Sequence, residues 1–162
     1  MQLVKKADVE DIPLIRELTF AIWPQTYSSL ISKEQVDYML QMMYSPASLQ
    51  QQMKDGSTFI IVYEDTLPVG FAAYKPIDPL TWKLDKIYIL SSQQCKGTGK
   101  FIINFIVDEI KNKHAKALQL QVNRENKAKD FYEKLGFKII QTANFDIGNG
   151  YFMNDYVMEL AL

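Results

Sequence analysis

The chain has one cysteine, Cys95, and one histidine, His114, among 162 residues. A single thiol cannot build a disulfide framework. No grouping of His, Cys and acids has metal-ligand spacing, so no metal site is expected. No apolar run approaches the ~18 residues that cross a membrane. The N-terminal MQLVKKADVED lacks a signal-peptide core, because acids arrive by Asp8. A cytoplasmic protein without a membrane partner is the expectation. Charge of one sign is not in excess either, since the formal net charge is -1. That excludes a molecule drawn to nucleic acid by its total charge, and no nucleic-acid module is recognisable. Repeats and low-complexity linkers are also missing.

Apolar residues are plentiful, at 48%. That suffices for one core in a chain of single-domain length, and residues 1–162 read as one domain. The charge is uneven along it. Residues 94–138 carry ten Lys/Arg against five acids. Residues 139–162 carry no Lys or Arg and three acids, Asp146, Asp155 and Glu159. Residues 17–32 also lack a positive side chain. An anionic cofactor beside a cationic substrate fits this distribution, and so does chance placement on solvated faces.

Periodicity and punctuation give the elements. Residues 2–6 read as a strand. Asp8 caps a helix to about Trp23, ended by Pro24. Ser32 with Gln35 is a capping-box pattern for a helix to about Tyr44. Ser45-Pro46 starts a third, ending near Gly56. Residues 58–63, 69–75 and 82–90 read as strands, 99–112 as an amphipathic helix and 117–122 as a strand. Residues 125–135 form a helix closed by Gly136. Residues 137–145 and 150–160 form a hairpin around Ile147-Gly148-Asn149-Gly150. The order predicts an α/β (α+β) fold with helices packed on a mixed sheet.

One junction carries chemistry. The strand at 82–90 runs through Ser91-Ser92-Gln93 into Gln94-Cys95-Lys96-Gly97-Thr98-Gly99 and then a helix. The first N–H groups of a helix have no internal partner and attract phosphate. Gly97 and Gly99 allow close approach to the backbone, and Lys96 and Lys100 add charge. Taken alone, this pattern is equally a tight strand–helix turn.

Gln-x-x-Gly-x-Gly after a strand and before a long helix resembles the acyl-CoA signature of the GNAT acetyltransferases. A second block, Val122-Asn123-Arg124-Glu125-Asn126-Lys127-Ala128-Lys129-Asp130-Phe131-Tyr132-Glu133-Lys134-Leu135-Gly136-Phe137, is similar to that family's Asn…Ala…Phe-Tyr-Glu-Lys-Leu-Gly-Phe segment. The resemblance covers essentially the whole chain. It implies a mostly antiparallel central sheet of about seven strands flanked by helices. It implies acetyl-CoA as co-substrate and acetyl transfer to a primary amine. Backbone N–H groups from Gln94 through Cys95, Lys96, Gly97, Thr98 and Gly99 to Lys100 would then cradle the pyrophosphate. Ile87, Tyr88 and Ile89 would pair with the pantetheine arm like an added strand. Asn126 would hydrogen-bond that arm, with Asn123 beside it, and Tyr132 would sit near the thioester sulfur.

The resemblance makes Tyr132 the general acid for the leaving thiolate; without it, Tyr132 reads as a core aromatic. The base is less defined. A Glu used by some members falls at Lys83, which cannot serve. Asp85, two residues on, projects from the same face, and its alternative is a surface acid paired with Lys83 or Lys86. Cys95 reads as an incidental thiol and His114 as a surface residue. The acceptor side is expected to use Trp23, Tyr27, Asp146 and Tyr151, whose aromatic faces and carboxylate suit an ammonium. Ile22–Tyr27 and Tyr38–Tyr44 look similar to bacterial spermidine/spermine acetyltransferases, which implies a polyamine or other small amine. Protein N-termini or lysines, and a non-catalytic acyl-CoA sensor, are the alternatives. The apolar run Tyr151–Leu162 permits either a homodimer or a buried last strand.

Overall fold

The computed structural model describes residues 1–162. Strand β1 (Gln2–Lys6) leads through a short 3-10 turn into helix α1 (Ile12–Tyr27). Asp8 caps that start, accepting from the Glu10 N–H at 2.9 Å. The expected stop at Pro24 does not occur. Proline removes one helical N–H donor, yet the Ser28 N–H still reaches the Pro24 carbonyl at 3.2 Å. The Trp23 and Tyr27 rings lie 4.6 Å apart across the proline. Packing of this turn outweighs the missing bond.

Helices α2 (Lys33–Tyr44) and α3 (Pro46–Lys54) follow, then strands β2 (Thr58–Glu64), β3 (Leu67–Pro76) and β4 (Thr81–Ile89). Ser32 caps α2 through the Gln35 N–H at 3.1 Å. The box is half closed, because the Gln35 side chain donates instead to the Phe152 carbonyl at 2.8 Å. Helix α4 (Thr98–Lys111), strand β5 (Ala117–Asn123), helix α5 (Ala128–Lys134) and strands β6 (Lys138–Gly148) and β7 (Tyr151–Ala161) complete the chain. Helix α5 starts three residues later than its pattern suggests. Asn123 and Asn126 accept from the Glu125 and Ala128 N–H groups, each at 2.9 Å, and hold the preceding segment as turns.

The sheet order is β1-β2-β3-β4-β5-β7-β6. Every pairing is antiparallel except β4–β5. This is the expected seven-stranded, mostly antiparallel sheet. Strand β7 (Tyr151–Ala161) inserts between β5 and β6, so its backbone is paired on both sides. None of the helices is long and apolar enough to cross a membrane.

Helices cover both faces. Trp23, Tyr44, Phe59 and Phe71 centre the core under α1–α3. Ile60, Ala72, Leu118 and Leu120 centre the one under α4 and α5. Strand β2 is buried on both sides, which is why TFIIVY reads as an unbroken apolar run. Helix α4 buries Ile102, Ile103, Ile106 and Ile110 at helical spacing. Each such side chain contributes about 1.5–3 kcal/mol.

Two irregularities in β4 create the site. The β3–β4 register passes from Ala73↔Lys86 to Tyr74↔Leu84, leaving Asp85 as an extra residue. A bulge lets neighbouring side chains share a face. Trp82 and Leu84 before it, and Ile87 and Ile89 after it, pack toward α4. Asp85, Lys86 and Tyr88 meet on the α1–α2 side. The β4–β5 pairing also stops at Leu84↔Leu120, although both strands continue.

Candidate active site

The strands part beyond Leu84, and a cavity of about 610 Å³ opens between them. Its walls include Ile87, Tyr88 and Ile89 from β4 and Leu120 to Asn123 from β5. On this side the end of β4 has no strand partner, so its backbone groups are available to an extended ligand.

The glycine turn forms one end. Gln94, Cys95, Gly97, Thr98 and Gly99 line the cavity, whereas Lys96 and Lys100 do not. From Cys95 through Lys100, no backbone N–H donates to another backbone carbonyl; the Phe101 N–H is the first to do so, to Gly97. Cys95 and Gly97 both have positive φ, +64° and +80°. Alternating conformations of this kind gather N–H groups into an anion-binding concavity. The Thr98 hydroxyl accepts from Gln2 Nε2 at 2.6 Å and ties α4 to β1. Gly99 is needed for packing: a Cβ there meets Phe131 at 2.9 Å. A Cβ at Gly97 meets nothing within 4 Å, so its requirement is conformational.

The exposed thiol of Cys95 sits on a left-handed backbone. A Cys95→Gly variant is expected to keep its melting temperature or gain a little, since left-handed strain of about 1–2 kcal/mol is relieved. A thermal melt checks this, and a drop of several degrees would contradict a merely incidental thiol.

Asn123 and Asn126 also line the cavity. Their side-chain carbonyls are used in the turns before α5, which leaves each amide nitrogen as a donor. Tyr132 lines the same region with 8% exposure, wedged edge-on against Phe131 and Phe137. Burial holds its phenol well above the ordinary value, and nearby Tyr27 adds to this. The hydroxyl therefore stays protonated at neutral pH.

Asp85 reaches the cavity but is poorly suited to accept a proton. Its carboxylate pairs with Lys86 at 3.1 Å and Lys83 at 3.6 Å. Burial acts to raise its pKa, but Lys86, Lys83 and Lys75 outweigh it and leave the carboxyl below the usual range.

The other end is closed by α1, α2 and β7. Tyr27 lines it, with its hydroxyl 2.8 Å from that of Tyr88. Burial pushes the Tyr27 phenol up to about 12. Three expected substrate contacts change role. Trp23, 1% exposed, is core between Tyr27, Tyr44 and Tyr88. Asp146 accepts from the Gly148 N–H at 2.8 Å and shapes the hairpin turn. Tyr151 packs on Tyr38 at 5.2 Å, outside the cavity. The hairpin instead contributes Phe152, Met153 and Asp155. Asp155 is 2% exposed, and burial pushes its carboxyl up to about 6. The one signal for it in the sequence is the absence of Lys and Arg after residue 138.

Known proteins share the domain and the fold. The model of the acetyltransferase (GNAT) domain matches residues 28–160. An uncharacterised N-acetyltransferase of Mycobacterium bovis is 26% identical over 153 residues, covering 93% of this chain and 96% of its own. The [ribosomal protein bS18]-alanine N-acetyltransferase of Haemophilus influenzae is 35% identical over 75 residues, spanning 46% of this chain and 50% of its own length. The PaiA N-acetyltransferase of Thermoplasma acidophilum, solved in complex with coenzyme A, superposes with a TM-score of 0.84 at 23% identity, covering 100% of this chain and 99% of that one.

Proposed function

The chain belongs to the GNAT acetyltransferase family, and we propose that it moves the acetyl group of acetyl-CoA onto the nitrogen of a small primary amine. The observation that carries this is one continuous cavity, with free N–H groups at one end and, along its walls, a protonated phenol and a carboxylate whose buried Oδ2 has no partner. The N–H groups from Cys95 to Lys100 hold the pyrophosphate. The free edge of β4 at Ile87–Ile89 takes the pantetheine arm, and the amides of Asn123 and Asn126 donate to it. A backbone N–H at the end of β4 polarises the thioester carbonyl, which needs no particular side chain.

Tyr132 acts as general acid. Attack of the amine expels a thiolate, and a buried phenol beside the sulfur supplies its hydrogen bond and proton. Asp85 pairs with Lys86 and Lys83 at the bulge in the β3–β4 register.

The acceptor end favours a cation. Tyr27 and Asp155 line it, and no Lys or Arg from α1 or β7 does. A polyamine or a related small amine fits such a wall. The Haemophilus influenzae relative supports a second reading, a protein N-terminus, because it is named for acetylating an N-terminal alanine. A screen of spermidine, spermine and short peptides with acetyl-CoA, read by mass spectrometry, separates the two. Acetylated polyamine is the expected product. Acetylation of the peptides alone would replace the first reading with the second. Coenzyme A binding without thiol release for any amine would leave a sensor.

A further inference from the structure

Asp155 carries one of the buried polar atoms that have no partner within the fold. It sits on β7 opposite Asn123 of β5 and Ala143 of β6, in the middle of the inserted strand pair. It lines the cavity, yet its Oδ2 is shut off from solvent and has no hydrogen-bond partner. A buried carboxylate without a partner is unfavourable and persists where something else satisfies it.

Two cations lie near it, and neither donates to its carboxylate. Lys83 of β4 donates to Gln121 at 2.6 Å and pairs with Asp85. Arg124, after β5, donates to the Ala143 carbonyl at 3.0 Å and to Asn144 Oδ1, while its buried Nε has no partner. Both lower the carboxyl's pKa through space, but burial dominates. From α1, Tyr27 faces it: the Asp155 charge helps raise the Tyr27 phenol, and Tyr27 in turn helps raise Tyr132. Asp155, Tyr27 and Tyr132 all line the one cavity.

We infer that the Asp155 carboxylate binds the ammonium of the acceptor and takes its proton before attack. This rests on reading the cavity as the acetyl-transfer site. The freed nitrogen lone pair forms the C–N bond to the thioester carbonyl carbon, and the C–S bond breaks. The departing sulfur takes a proton from Tyr132, which is restored by the second proton shed from the acylated nitrogen. Asp155 returns its proton to solvent, so each turnover releases one proton. A carboxyl near pKa 6 is about nine-tenths ionised at pH 7, and is therefore ready to accept. Asp85, held low between lysines, is a weaker base.

The test is Asp155→Asn, which keeps shape and removes charge, assayed with the best acceptor of the amine screen. At pH 7 we expect kcat/KM for the amine to fall roughly 10²-fold or more, with KM for acetyl-CoA unchanged. The wild-type profile should lose activity as pH falls through about 6. The variant should lose that limb and recover as pH climbs toward the amine's own pKa, where neutral amine arrives from solution. The pKa is raised on folding, so the charge disfavours the native state once pH rises through 6, and Asp155→Asn should melt no lower than wild type at pH 8. A lower melting temperature would show the carboxylate to be satisfied within the fold and would overturn the inference. So would an unchanged rate and pH profile in an active enzyme. A wild type inert toward every amine and peptide would instead sink the proposed function.

Discussion

Tyr132→Phe lowers kcat for acetyl transfer by roughly 10²-fold or more, with the KM for acetyl-CoA nearly unchanged. The reason lies in what the hydroxyl does not do. Tyr132 is packed by its ring against Phe131 and Phe137, and phenylalanine keeps those contacts. The hydroxyl opens on the cavity, and no partner within the chain is lost with it. Folding and cofactor affinity should therefore survive the change. What disappears is the donor for the leaving thiolate, an interaction made as the C–S bond breaks. That pattern, kcat down with KM held, identifies a group acting in the transition state. Steady-state kinetics with a thiol-trapping dye read it directly. Equal kcat in the two proteins would remove Tyr132 from the mechanism and leave it as a core aromatic.

Gly97→Val raises the KM for acetyl-CoA at least about tenfold, and calorimetric binding of coenzyme A weakens in parallel. A β-branched side chain on a left-handed backbone costs about 1–2 kcal/mol, and 1.4 kcal/mol is tenfold in binding if the turn relaxes to avoid it. Relaxation disperses the N–H groups between Cys95 and Lys100. The space around Gly97 is open, so the loss does not come from a clash in the free protein. Gly99→Ala provides the contrast. Its methyl presses on the half-exposed Phe131 ring, so its effect should appear in the melting temperature before it appears in KM. Normal acetyl-CoA binding by Gly97→Val would move the pyrophosphate away from this turn.

Much of this was legible from local pattern. The strand–turn–helix at Gln94–Gly99 is contiguous, and its chemistry depends on backbone groups that glycine and helix geometry expose. The stretch from Asn123 to Phe137 is contiguous too, and places Tyr132 one turn into α5. Alternation and helical spacing located every element, because burial of one face is written residue by residue. Errors fell at ends. Pro24 was passed because Trp23 and Tyr27 bury against residues of β4 and α2, and no local rule counts those contacts.

The acceptor side was not legible, for a physical reason. The sequence determined the fold class and the anion-binding turn, since both arise from neighbours in the chain. The tertiary structure decided which polar residues face the cavity. A bulge at Asp85 brought Lys86 to the face that Asp85 already shares with Lys83, and made Asp85 an ion-pair partner of both. Insertion of β7 beside β5 brought Asp155 to the gap that opens past Leu84, and the same hairpin carried Asp146 and Tyr151 away from it. Nothing in the spacing of 85, 132 and 155 encodes that meeting, because strand order is set by long-range pairing.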